Sequence, residues 1–396
     1  MTVDSNERNY YCSMKFRYLK IDLESKTTYN CHAAQPHDVN FKWLSDNPGQ
    51  LFNTPTSVAE RNMMLTNQRN SSCEQNCWTA EDAGAVSPRM YQGGIEKTHF
   101  ETVTQPEIID LTVGSNCNLT CSYCCKEYSS AWRRDLADNG PYNVTDSKNR
   151  FELTDKDRML AKLSQSELKS TAHYQTLLNQ IKLSTGTLKK LTVTGGEPFL
   201  DNQLIDVLAD LSLNHDTVVE IYTGLGVMAT RFEKILHKLK SIANLELKIS
   251  AECIKDLHEF NRYGSKWLEF ENRIQLLDQH KIKYKFHSTL SNLTIFGYAE
   301  FVQYFKDHDH TVTFVYQPSM MAPYVLDPQS KEIILAQIQS LPARLQQPVK
   351  QSLLATPTET QRQNIKTFLV EFVGRRSNLN LNVYPTHFLD WIDHVV

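Results

Sequence analysis

Glycine and proline are scarce. With 14 of each in 396 residues, the sequence is neither collagen-like nor a low-complexity chain. It contains no run of 18 apolar residues, so it offers no membrane-spanning helix. Neither sign of charge prevails. The 42 Lys and Arg against 45 Asp and Glu give no basic surplus that would point to nucleic acid or an anionic membrane. The opening residues MTVDSNERNYYCSMKF lack the apolar stretch of a secretion signal, and a cytoplasmic location is the expectation.

Cysteine, by contrast, is present in a telling distribution. Cys12, Cys31, Cys73 and Cys77 lie in the first fifth of the chain. Cys117, Cys121, Cys124 and Cys125 form one tight group, and Cys253 stands alone. An odd total of nine in a reducing compartment argues for metal or catalytic use rather than a disulfide framework.

Three segments differ in texture. Residues 1–100 are irregular, with a strand pattern in KFRYLKIDL (15–23), a turn at ESKT and a short helix over 56–67. Their few apolar runs predict a small cysteine domain that borrows stability from a metal or a neighbour. From 101 to 320, short apolar runs alternate with helical stretches. The expected strands are 107–113, 188–194, 217–223, 245–250, 282–290 and 311–316. This alternation predicts an α/β fold, a partial (β/α)6 barrel with its functional residues at the carboxyl ends of the strands. The polar segment 125–155 reads as a loop or lid. Residues 321–396 read as a helical C-terminal extension, in which Phe388, Trp391 and Ile392 at helical spacing cover one barrel face.

Two motifs carry chemistry. Cys117, Cys121 and Cys124 follow the first barrel strand directly, and three thiolates so close in sequence can wrap one face of an iron–sulfur cluster, leaving one iron open. A zinc site completed by a fourth ligand, such as Cys125, is the other reading of this spacing. At the end of the second strand stand Gly195, Gly196, Glu197 and Pro198. Two glycines permit close backbone approach, Glu197 offers a carboxylate, and Pro198 stiffens the exit into a helix.

Together, in this order, the two motifs resemble those of the radical S-adenosylmethionine (SAM) superfamily: CxxxCxxC with an aromatic residue, here Tyr123, before the third cysteine, then GGEP. The resemblance implies a [4Fe–4S] cluster on Cys117, Cys121 and Cys124, with SAM on the open iron and its amino group received by the glycine backbone and Glu197. It implies reductive cleavage of SAM to a 5′-deoxyadenosyl radical that abstracts hydrogen from substrate, fed by an external electron donor such as flavodoxin or ferredoxin. Thr223, Ser250, Arg262 and Asn292, at or near later strand ends, are its further SAM-contact residues; a helix cap is the plainer role for such polar residues. Cys253 is either a hydrogen-atom donor at the mouth or a buried small residue.

Cys12, Cys31, Cys73 and Cys77 make a complete ligand set for a second cluster or a zinc, or stay unliganded. They resemble the SPASM or twitch auxiliary-cluster domains, although here they precede the core. The substrate is not legible beyond a peptide to be modified or a small molecule to be dehydrogenated or rearranged. No cobalamin-binding domain is visible, which disfavours methyl transfer. A non-catalytic iron–sulfur or zinc-binding scaffold is the alternative from a different class.

Overall fold

The computed structural model describes residues 9–91, 104–162 and 172–393. The chain opens with a hairpin, β1 (Tyr18–Asp22) and β2 (Thr27–Tyr29), antiparallel with Asp22 opposite Thr27. β3 (His37–Asp38) adds to β2. There follow β4 (Ile108–Thr112), a short β5 (Thr120–Cys121), β6 (Lys190–Thr194), β7 (Val218–Thr223), β8 (Leu245–Ser250), a short β9 (Arg262–Tyr263), β10 (Tyr284–Leu290) and β11 (His310–Phe314). The main sheet runs β11-β10-β8-β7-β6-β4-β1-β2-β3, and β5 pairs with β9 apart from it.

All six strands expected between 107 and 316 are present, as β4, β6, β7, β8, β10 and β11. Each lies parallel to the next in chain order. Parallel neighbours need crossovers, and helices supply them: Ala172–Lys182, Asn202–Ala209, Ala229–Leu239, Trp267–Gln279 and Tyr298–Tyr304. Ala229–Leu239 shows why these segments are helical, since Phe232, Ile235, Leu236 and Leu239 repeat at three- and four-residue steps and are all buried. The structure is thus the expected partial (β/α)6 barrel. Its sheet extends further than expected, because β1 pairs in parallel with β4 (Lys20 opposite Asp110). The strands between residues 18 and 38 and the barrel therefore share one sheet.

Side chains alternate across the strands. Ile109, Leu111, Leu191, Val193, Val219, Ile221, Leu247 and Ile249 point to the helices and are fully buried. Their neighbours Asp110, Thr192, Glu220, Tyr222, Lys248, His287 and Thr289 point the other way, into a polar lumen. Across its lower part runs an ion-pair ladder: Lys190–Glu220 at 2.8 Å, Lys248–Glu220 at 3.3 Å, Lys248–Glu246 at 2.8 Å and Lys285–Glu246 at 3.4 Å.

The expected lid at 125–155 is instead part of the core. Ser129 caps the helix Ser130–Asn139 by accepting from the Trp132 amide. Trp132, Tyr142 and Phe151, each 0–1% exposed, stack against Phe368 and Phe372 of the C-terminal helix Glu359–Gly374. The polar composition of the segment hid three large aromatic residues whose partners lie far along the chain. The tail behaves as expected: Phe388 is buried against Phe296 and Tyr384.

Candidate functional site

At the carboxyl ends of the strands, the loop after β4 and the turn after β6 meet backbone to backbone. The Gly196 amide donates to the Gly114 carbonyl and the Glu197 amide to the Asn116 carbonyl, both at 2.7 Å. No side chain fits between them. A Cβ on Gly195, whose φ is +134°, would lie 2.7 Å from the Gly114 oxygen, and one on Gly196 would lie 2.5 Å from the Asn116 oxygen. The glycine pair therefore clamps the cysteine loop, in addition to any close approach to a ligand.

The two motifs face one cavity of about 190 Å³. Cys117, Cys121, Cys124, Tyr123, Gly195, Gly196 and Glu197 line it, with Thr223, Ser250, Arg262, Tyr222, Tyr128 and Thr289. Burial pushes the Cys117 thiol up to about 12 and the Cys121 thiol to about 11; on Cys121 the Arg262 charge works the other way. Donors already address two of the sulfurs. The Leu119 amide lies 3.5 Å from Cys117 Sγ, and Arg262 Nη1 lies 4.0 Å from Cys121 Sγ. Among the described residues, no three His, Cys, Asp or Glu side chains are gathered to hold a single metal ion. Thiolates on different irons of a cube need not stand as close as the ligands of one ion. Three thiols on one cavity, Cys121 buried and Cys117 and Cys124 half-buried, with donors toward two of the sulfurs, fit a cluster of that kind.

Glu197 is 2% exposed and accepts four hydrogen bonds: from Thr223 Oγ1 at 2.7 Å, Phe199 N at 3.1 Å, Gly224 N at 3.0 Å and Gly226 N at 3.2 Å. Burial raises its pKa, and these bonds oppose the shift. A carboxylate has about four lone-pair sites. The carboxylate expected to receive an amino group is therefore occupied in holding the loop after β7, and Thr223 is consumed in the same contact. Pro198 is buried at the first position of the turn Pro198–Leu200.

Arg262, expected to face the carboxylate of SAM, has a protein partner. It forks onto Glu252, Nε to Oε2 at 2.9 Å and Nη2 to Oε1 at 2.7 Å, and Nη2 also donates to the Tyr123 hydroxyl at 2.7 Å. Tyr123 in turn donates to Glu252 Oε1 at 2.9 Å.

Three expected site residues, Pro198, Asn292 and Cys253, do not line the cavity. Asn292, fully buried, donates its amide to the carbonyls of Met320 at 2.9 Å and Val325 at 3.2 Å and so ties down the chain after β11. Cys253, 1% exposed, donates to the Thr294 carbonyl at 3.2 Å and abuts Gly297. Its thiol is placed as a buried small residue is, bonded within the protein. Cys125 is also buried, within 3.8 Å of Arg150 Nη1.

The sequence places Glu252 at the end of the fourth strand without revealing its pairing with Arg262; it also places Tyr222 at the end of the third strand, and gives no role to His287. The last two were signalled by alternation in VVEIYT and KFHSTL. The Tyr222 and His287 rings meet edge to face at 5.2 Å. His287 Nδ1 lies 3.0 Å from Thr311 Oγ1, whose hydrogen goes to the Phe286 carbonyl. Nδ1 is thereby assigned as the donor, and Nε2 keeps its lone pair. The ten-residue separation of Glu252 and Arg262 carried no such signal.

No family model matches the chain, and no curated protein matches it. Among solved structures, it is similar to native anSMEcpe, an anaerobic sulfatase-maturating enzyme, with bound AdoMet, at 16% identity and a TM-score of 0.35, over 52% of this chain and 51% of that one. The hexahistidine-tagged form with bound AdoMet matches at 18% identity and 0.35, over 58% and 55%. The native form with bound AdoMet and Kp18Cys peptide matches at 15% and 0.36, over 58% and 57%. The chain spans about half the length of each.

The N-terminal cysteines are all buried: Cys12 at 4%, Cys31 at 7%, Cys73 at 7% and Cys77 at 5% exposure. Burial pushes Cys12 up to about 12, and the charges of the other three add to the rise. Cys12, Cys73 and Cys77 pack with Tyr11, Phe16, Met64 and Trp78 in a core separate from that of the barrel. The fully buried Lys15 reaches Asn30 at 2.5 Å, Glu60 at 2.7 Å and Ser72 at 2.6 Å. Burial raises the pKa of Cys31, Cys73 and Cys77, that of Cys73 to about 11, and the Lys15 charge opposes the rise in each. Trp78 and Arg89 pack as a wall, with Trp78 Nε1 on the Asn70 carbonyl and Arg89 on Glu81 and the Tyr11 carbonyl.

Proposed function

We propose that this chain is a radical SAM enzyme. In this reading Cys117, Cys121 and Cys124 hold a [4Fe–4S] cluster, and SAM occupies the cavity beside it. The observation that carries the reading is the meeting of two motifs distant in sequence. Three thiols and the Gly-Gly-Glu turn line one cavity, and backbone bonds of 2.7 Å lock them together. When bound, cluster and SAM supply the radical chemistry, and the protein supplies position and dryness. The glycine backbone shapes the wall against SAM, Glu197 and Thr223 hold the loop after β7, and Ser250 and Thr289 stand at the strand ends facing the ligand.

The substrate occupies the lumen below, next to Tyr222 and His287. Polar side chains on every central strand favour a hydrophilic substrate, a peptide or a small polar molecule. An external donor of the flavodoxin or ferredoxin kind delivers the electron. In the same reading residues 1–100 form an auxiliary cysteine domain, 101–320 the core and 321–396 an extension. Cys12, Cys31, Cys73 and Cys77 hold a second [4Fe–4S] cluster; their shared burial beside the Lys15 ammonium supports an anionic centre there. Among the described residues no helix is long and apolar enough to cross a membrane. A cytoplasmic site of action is part of the proposal.

The test is anaerobic reconstitution followed by dithionite reduction in the presence of SAM. Release of 5′-deoxyadenosine, abolished by Cys121→Ala, is the expected result. A reconstituted protein that releases none is the non-catalytic scaffold.

A further inference from the structure

We propose that Arg262 is a positioning residue that sets the electronic environment of Cys121, with Glu252 and Tyr123 holding its guanidinium in place. The assignment rests on the cluster reading above and adds a regulator of that cluster.

The backbone fixes the first half of the arrangement. β9 pairs antiparallel with β5 so that Arg262 stands directly opposite Cys121. The side chain then folds back over the same cysteine, with Nη1 at 4.0 Å from Sγ. Glu252 and Tyr123 hold Nε and Nη2. A guanidinium is planar and its donors form a rigid fork, so pinning two nitrogens aims the third. The Arg262 and Glu252 side chains are 5% and 1% exposed, and bulk water screens little of their field.

A buried ion pair is weak evidence for stability, because removing both charges from water offsets most of their attraction. Its position next to a thiol gives it another consequence. Hydrogen bonds to cluster sulfurs and the local charge set the reduction potential. A cation at Cys121 Sγ draws negative charge from the sulfur and makes an added electron easier to hold. The Glu252 carboxylate moderates that effect, so the pair sets the potential at an intermediate level.

The experiment is a redox titration of the reconstituted full-length chain, followed by electron paramagnetic resonance on the signal that changes when SAM is added. Arg262→Gln shifts the midpoint to more negative potential. Glu252→Gln, which keeps the shape but removes the counter-charge, shifts it the opposite way. Arg262→Lys keeps the charge without the fork and falls between wild type and Arg262→Gln, which guards against a variant that fails to fold. Cluster signals with unmoved midpoints, or shifts of one sign in both Gln variants, overturn this assignment alone. A wild-type chain that takes up no cluster overturns the cluster reading and this assignment with it.

Discussion

Gly196 and Asn116 stand so close that the Asn116 carbonyl oxygen lies 2.5 Å from where a Cβ on Gly196 would sit. Backbone atoms cannot move aside as a flexible side chain can. Gly196→Ala therefore separates the turn after β6 from the cysteine loop. The expected cost is about 1–3 kcal/mol of stability, as for other overpacked sites, together with loss of iron uptake. Urea unfolding and iron analysis on the same preparation check both.

The helix Ser130–Asn139 is a packing element, and Trp132 is its anchor. The Trp132 indole is fully buried, and its Nε1 donates to the Cys121 carbonyl at 3.0 Å. Trp132→Ala is expected to cost about 3–5 kcal/mol in chemical denaturation, the range for a large buried aromatic residue. A mobile lid would show almost no change.

His258 makes the stability pH-dependent. Burial against Trp267 and Phe270, reinforced by the Arg262 charge, lowers its pKa from 6.5 to about 3. Between those values the unfolded chain binds the proton and the folded chain does not. Stability contributed by this residue is thus full above pH 6.5 and falls as pH drops toward 3. Denaturation midpoints measured across that window should show a shallower acid loss in His258→Gln than in wild type.

Two cubes of four irons predict about eight irons per chain after reconstitution. Cys73→Ser combined with Cys77→Ser should leave about four and should preserve the SAM-sensitive signal. Four irons with one zinc in the wild-type chain would assign the N-terminal thiols to zinc.

Much of the fold was legible because its rules are local. Six alternating apolar strands, with helical stripes between them, name a parallel sheet before any coordinates. The cysteine loop and the glycine turn were legible for the same reason, each being a short contiguous motif. What was not legible depends on partners distant in sequence. Arg262 reads as a free cation until Glu252 is seen beside it. Glu197 reads as a free carboxylate until the amides of Gly224 and Gly226 fill it. Cys253 reads as a residue at the mouth because it follows a strand end, yet its thiol turns to Thr294. The lid expectation failed where polar composition outweighed three aromatic residues, Trp132, Tyr142 and Phe151, that find their partners more than 200 residues later at Phe368 and Phe372.

The most direct test of the open-iron claim is electron paramagnetic resonance of the reduced, anaerobically reconstituted protein with and without SAM. The expected result is a [4Fe–4S] signal that changes shape on adding SAM and is absent in Cys117→Ala, Cys121→Ala and Cys124→Ala. A signal indifferent to SAM, or a colourless protein with one tetrahedral metal at those thiols, would contradict it.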